Sequence, residues 1–200
     1  LRFRLAVSLS IAILTTQARA ETNAMLAAAM DSITVDECYE HVTALADDVY
    51  EGREAGTRGG HAAASYIARQ LEPFGLLPAG DADKFTQSFG SDCRNILALR
   101  RGNDPQLRDE YIVVGAHYDH VGYGSKRTSY GTIGKIHNGA DDNASGTSVL
   151  LETMEAFASA GLTTRRTILF AFWDCEERGM VGSRHWIAHP TVPIDRVKLA

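Results

Sequence analysis

The stretch that most constrains the fold is Thr167-Ile168-Leu169-Phe170-Ala171-Phe172-Trp173. Seven uncharged residues, mostly β-branched, aromatic or aliphatic, form the pattern of a strand covered on both faces, and such strands belong to sheets flanked by helices. Tyr111-Ile112-Val113-Val114-Gly115 is a second run of this kind. Between the two, Leu150, Met154 and Phe157 fall on one helical face, with Leu151 and Ala158 beside it. Ser145 or Asn143 can cap that helix, and Gly161 follows its end. Buried strands alternating with helices predict an α/β three-layer sandwich, a mixed and mostly parallel sheet with helices on both faces.

The upstream chain supplies the remaining elements. Thr34-Val35-Asp36-Glu37 fits a capping box, and Val35, Cys38, Val42 and Leu45 follow at helical spacing, so a helix is expected over about residues 35–47. A polar, glycine-punctuated loop from Glu51 to Gly60 leads into a helix marked by Ala63, Ile67, Leu71 and Phe74 and ended by Gly75. Asn95 to Leu99 reads as a strand turning at residues 101–105. Residues 122–138, with Gly122, Gly124, Gly131 and Gly134, read as a long surface loop.

Composition narrows the setting. With 44% hydrophobic and 22% charged residues over 200 positions, the chain has the make-up of one globular domain. Its first twenty residues differ: Arg2 and Arg4 precede an apolar run from Leu5 to Leu14, and Ala18-Arg19-Ala20 offers small residues for cleavage. Residues 1–20 are therefore expected to be a signal peptide and residues 21–200 the mature domain, secreted or periplasmic, with no membrane association after cleavage. Cleavage removes three arginines (Arg2, Arg4, Arg19) and no acid, so the formal charge moves from −5 to −8, which argues against a nucleic-acid partner. Three cysteines are too few for a disulfide scaffold, although export would allow Cys38 and Cys93 to pair.

Three short blocks at the expected strand ends carry the chemistry. In the first, His117 and Asp119 are two apart, so on an extended strand end they point the same way and the carboxylate can orient the imidazole. In Gly139-Ala140-Asp141-Asp142-Asn143-Ala144-Ser145-Gly146, small residues flank two carboxylates and allow close backbone approach. In the third, Glu176 and Glu177 end an apolar strand, a costly place for two carboxylates unless a cation satisfies them. One glutamate on a metal and one free to take a proton is a natural division of labour. A rival pattern is a calcium loop through Asp141, Asn143, Ser145, Gly146 and Glu152, but the residues before it show no helical stripe. His185 and His189 have metal-ligand spacing but lack the glutamate of a zinc-protease helix, and His120 and His137 are read as bystanders.

The blocks from His117 to His120, Gly139 to Gly146 and Asp174 to Gly179, with Gly182-Ser183, resemble the exported di-zinc aminopeptidases, relatives of bacterial leucyl aminopeptidase and glutamate carboxypeptidase. The similarity extends upstream through the Glu51–Gly60 loop. The resemblance implies two Zn²⁺ ions, with His117 on one, Asp141 bridging both, Glu177 on the other, and Glu176 as general acid/base. It implies Asp119 and Asp142 as supporting residues behind the ligands and a cis peptide between Asp141 and Asp142. A further Asp and a late His are expected of the family and neither matches before Ala200, so the peptidase domain is expected to be partial and one metal site incomplete. The implied activity is removal of N-terminal residues from peptides. A carboxypeptidase, a glutaminyl-cyclase-like acyltransferase or a non-catalytic calcium-binding exported domain are the alternatives.

Overall fold

The strand that dominates the sequence is also the middle of the sheet. In the computed structural model, which describes residues 21–90, 92–128 and 131–200, strand β5 (Thr167–Trp173) lies between β3 (Cys93–Arg100) and β4 (Tyr111–His117). β4 and β5 are parallel, and β6 (Val197–Leu199) is parallel to β4 on its other side. β3 runs antiparallel to β5, and β1 (Leu77–Pro78) and β2 (Thr86–Phe89) run antiparallel to β3. The sheet is mixed, as expected, but not mostly parallel: among the described strands three pairings are antiparallel, all made by β3, and the parallel part is confined to β4, β5 and β6. The expected signal segment, residues 1–20, lies outside the described residues.

Alternation along β5 divides the core into two layers, because successive side chains of a strand point to opposite faces. Ile168, Phe170 and Phe172 join Ile96 and Ala98 of β3 on one face. That face is covered by α2 (Val35–Leu45), α3 (Arg58–Leu71) and α4 (Gly146–Ser159) through Leu45, Ile67, Leu71, Leu151 and Met154. Leu169 and Ala171 face the other way with Leu97 and Val113, against Trp186 of α5 (Val181–Ala188). An additional helix, α1, described over residues 21–32, touches the first layer's edge through Ala29, which packs on Ala156 and Leu162. Among the described residues, no helix is long and apolar enough to cross a membrane.

The local signals work as read, with informative exceptions. Thr34 caps α2 by accepting from the Glu37 N–H at 3.2 Å, and its hydroxyl donates to the Glu37 carboxylate at 2.6 Å. α2 stops at Leu45, short of the expected residue 47, because Asp47 caps the following turn by accepting from the Val49 N–H at 2.8 Å. Val35, counted in the apolar stripe, is exposed. Thr57 caps α3, and its stripe Ala63, Ile67 and Leu71 is fully buried. Asn143 caps α4 by accepting from the Gly146 N–H at 2.9 Å, whereas Ser145 donates to the Asp141 carbonyl instead. β4 departs most from expectation, since Val114 and Gly115 are exposed. β6 pairs with it only at Tyr111 and Ile112, leaving the site-proximal half of that edge uncovered among the described residues.

One buried pair inside the helical layer yields a pH prediction. Glu152 of α4 is 2% exposed, and its Oε1 lies 3.3 Å from His41 Nε2, while His41 Nδ1 contacts the Tyr66 hydroxyl at 2.6 Å. Burial, reinforced by the charges of Glu37, Glu155 and Glu40, pushes the Glu152 carboxyl up to about 7. A carboxyl raised from its ordinary 4.5 holds its proton longer in the folded state, so stability falls as pH rises from 4.5 to 7. Burial lowers His41, whose effect has the opposite sign and is confined to pH below its ordinary 6.5. Glu152→Gln keeps the shape and removes the titration. Urea unfolding should show the variant gaining on the parent between pH 5 and pH 8; an equal difference at both pH values would contradict this.

Candidate metal centre

The site is built where β4 and β5 end side by side and the loop entering α4 crosses them. Register places His117 beside Trp173, the last pair of the parallel ladder. Beyond it the chain turns inward through Tyr118 and Asp119, 1% and 0% exposed, before returning to the surface at His120. Asp119 organises the centre. One of its carboxylate oxygens accepts from the Glu176 N–H at 3.0 Å and the other from the Glu177 N–H at 3.3 Å. The same carboxylate stands 3.6 Å from His117 Nδ1, whose nearer contact is the Asp119 carbonyl at 3.2 Å. A single buried acid therefore connects the ends of two strands.

The second block closes over this pair. Gly139 has φ +56, and a Cβ there would strike the Asp142 carbonyl and the His120 ring, the latter at 2.6 Å, so this position requires glycine. The cis peptide lies between Asp142 and Asn143. The resemblance had placed it one residue earlier, between Asp141 and Asp142, and the structure corrects this. It also brings a different carboxylate to the group. Asp142 Oδ1 lies 3.2 Å from His117 Nε2, and Asp142 groups with His120 and Glu177, their ligand-capable atoms all within 4.8 Å of one another. Asp141 is exposed and outside this group, its carbonyl taken by Ser145.

His120, set aside in the sequence reading, belongs to the group, with its Nδ1 2.8 Å from Glu177 Oε1. Its position depends on a bridge to Glu54 and on its N–H donating to the Arg53 carbonyl at 3.1 Å, contacts across the chain with no local sequence signal. Glu176, partly exposed, lines a cavity of about 270 Å³ with Gly115, Ala116, His117, Asn143, Trp173 and Met180. His137 contacts the Thr132 carbonyl at 3.1 Å and is not in the group, and His185 of α5 stacks on His189 just past that helix's end. Glu152 cannot close the calcium pattern, because it is buried against His41 beneath α4.

Charge explains what the group could hold. Burial, with the nearby charges of Asp142 and Asp119, raises the Glu177 carboxyl, against the lowering effect of His120. Burial also works against charge on His117, but hydrogen bonding to Asp119 and the charges of Asp119, Glu176 and Asp142 leave it above the ordinary value. Two imidazoles facing carboxylates that repel one another form a donor set that suits a divalent cation such as zinc. Of the metal-capable side chains, His117, His120, Asp142 and Glu177 converge, and Asp141 does not.

Arg53 is a supporting residue that the sequence did not reveal. Fully buried, it donates to the carbonyls of Tyr118 (2.9 Å), Leu45 (2.6 Å), Asn138 (2.7 Å) and Gly139 (2.7 Å). Burial lowers it to about 10, still charged at neutral pH, with Asp119, Asp142 and Glu177 acting to raise it. Its guanidinium thus fastens the Gly139 turn to the His117–His120 turn. Arg53→Met should destabilise the fold by about 2–5 kcal/mol in urea titration, because several buried carbonyls lose their donor. Arg53→Lys should recover little of this, since one ammonium cannot reproduce the planar fork. Full recovery by lysine would show that charge alone is what the position needs.

Comparison with known proteins finds similar sequences and similar folds. Over 135 residues the chain is 30% identical to leupeptin-inactivating enzyme 1 of Streptomyces exfoliatus, covering 68% of this chain and 26% of that protein. Over 96 residues it is 38% identical to a probable glutamate carboxypeptidase of Arabidopsis thaliana, covering 46% of this chain and 11% of the other. Its fold matches a Zn-dependent exopeptidase of Parabacteroides distasonis with a TM-score of 0.60 at 22% identity, covering 80% of this chain and 57% of that one. The chain thus spans about a quarter or less of the length of these curated relatives. Residues 95–200, just over half of the chain and including every residue of the group just described, match the sequence pattern of Peptidase family M28. The chain belongs to Peptidase family M28.

Proposed function

We propose that this protein is a zinc-dependent exopeptidase of the aminopeptidase type, exported after removal of residues 1–20, with Glu176 as its general acid/base. The observation that carries the reading is the convergence of His117, Asp142 and Glu177 at two strand ends, backed by Asp119, with Glu176 beside them and outside the ion pairs. His117 and Glu177 would hold separate zinc ions and Asp142 would be shared, replacing Asp141 in that role. Bound zinc supplies Lewis-acid polarisation of the scissile carbonyl and makes water acidic enough to attack at neutral pH.

The chain's own residues do the rest. Asp119 fixes the His117 ring and, through the Glu176 and Glu177 N–H groups, the direction in which both glutamates leave the strand. Glu176, lining the cavity that would receive the substrate, takes the proton of the attacking water and passes it to the leaving amine. Trp173, Ala116 and Met180 give that cavity an apolar wall suited to a side chain next to the scissile bond.

A carboxypeptidase reading is favoured by one feature. A second cavity, about 240 Å³, sets Arg127 and Arg178 beside Glu177, and guanidinium groups there could receive a substrate carboxylate. Assaying the purified, zinc-loaded protein on peptides blocked at the N-terminus, at the C-terminus, or at neither end tests both. Loss of cleavage on N-terminal blocking alone supports the aminopeptidase, and loss on C-terminal blocking alone supports the carboxypeptidase. Equal cleavage of all three would overturn an exopeptidase of either kind. Chelation with 1,10-phenanthroline should abolish activity and added zinc should restore it; activity that survives chelation would count against the metal.

A further inference from the structure

Cys93 opens β3 and Cys175 follows β5. The antiparallel ladder between those strands runs from Arg100 opposite Ile168 to Ile96 opposite Phe172. Carried on in the same register, it sets Cys93 opposite Cys175. The side chains confirm this, since the two sulfurs lie within 4.8 Å of each other and the thiols are in hydrogen-bond contact. Both residues are buried, in a small apolar cluster with Ala55 and Phe89. Cys38 is elsewhere, on α2, with its carbonyl accepting from the Ser148 hydroxyl at 2.7 Å, so the fold sets Cys93 against Cys175 and not against Cys38, the pairing that export would have allowed.

Asp174 completes a cluster of three potential metal ligands there, but its two oxygens already accept from the Cys175 N–H at 2.9 Å and the Arg94 N–H at 2.8 Å. It acts as a brace between the strands and leaves two facing sulfurs. Directly opposed residues on antiparallel strands have Cβ atoms about 4.5–5.5 Å apart. A disulfide needs about 3.5–4.5 Å, a small closing movement.

We propose that Cys93 and Cys175 form a cross-strand disulfide when the protein meets a disulfide oxidant, tying β3 to the turn that carries Glu176 and Glu177. In the step, one cysteine attacks a sulfur of glutathione disulfide and expels one glutathione. The second cysteine then attacks the mixed disulfide, the Sγ–Sγ bond forms, and the second glutathione leaves. Two protein thiols are oxidised, one glutathione disulfide is reduced to two thiols, and the two protons pass to the departing sulfurs. Because both cysteines are buried, the reaction takes place as the strands come together during folding or when the turn opens. The proposal is independent of the peptidase reading.

The test refolds the purified protein with glutathione disulfide, alkylates remaining thiols with N-ethylmaleimide in denaturant, and maps the peptides. Cys93 and Cys175 should appear in one linked pair, with Cys38 alkylated. Reduction should lower Tm by roughly 5–10 °C in the parent and in Cys38→Ser alike. Cys93→Ala should show no such shift, and should that variant not fold, the mapping on Cys38→Ser decides the matter. Finding Cys38 in the linkage, three alkylated cysteines after oxidation, or a linked pair whose reduction leaves Tm unchanged would overturn the proposal.

Discussion

Glu176→Gln is expected to lower turnover by at least about a hundredfold while leaving zinc binding intact, the usual scale for loss of a general acid/base. The residue stands next to Glu177 yet differs from it in its contacts. Glu177 is engaged by His120 at 2.8 Å, whereas Glu176 makes no ion pair with any described residue and faces the cavity beside His117. Its backbone is held by Asp119, so the amide replacement keeps the turn and removes only the proton acceptor. Zinc content by elemental analysis and single-turnover rates on a peptide substrate separate binding from chemistry. Glu177→Gln should do the reverse, losing metal first. If Glu176→Gln lost zinc and kept its activity per bound ion, the two glutamates would have to exchange roles.

The second large effect distinguishes neighbouring aspartates. Asp142→Ala should weaken zinc binding by at least a hundredfold, about the upper end of what is lost when residues merely behind a ligand are changed. Asp141→Ala should change it little. The reason is geometric: Asp142 Oδ1 is 3.2 Å from His117 Nε2 and groups with His120 and Glu177, while Asp141, exposed like Asp142, lies outside that group. A shared carboxylate predicts that Asp142→Ala reduces the affinity of both ions together, whereas His117→Ala reduces chiefly one. Calorimetric zinc titration of the three variants resolves these patterns. A larger loss in Asp141→Ala than in Asp142→Ala would reinstate the acid that the resemblance first suggested.

What the sequence by itself determined was set by interactions of short range or simple period. The unbroken apolar run of β5 predicted a strand buried on both faces, and six of its seven residues are buried. Helical spacing found the Ala63, Ile67 and Leu71 stripe, and cap chemistry found Thr34 and Asn143, because each depends on neighbours within one turn. The three polar blocks also predicted that metal-capable side chains gather at the strand ends, where His117, Asp142 and Glu177 lie. Which atoms meet there was decided only by the tertiary structure. The fold sets Asp142 rather than Asp141 against His117, and a contact 57 residues away brings His120 to Glu177. Arg53 shows the same limit, an arginine in a polar loop that becomes a buried clamp because four carbonyls from separate segments converge on it. Register does this for the cysteines too, setting Cys93 against Cys175 rather than Cys38, since an antiparallel ladder couples residues far apart in the chain that no local pattern connects.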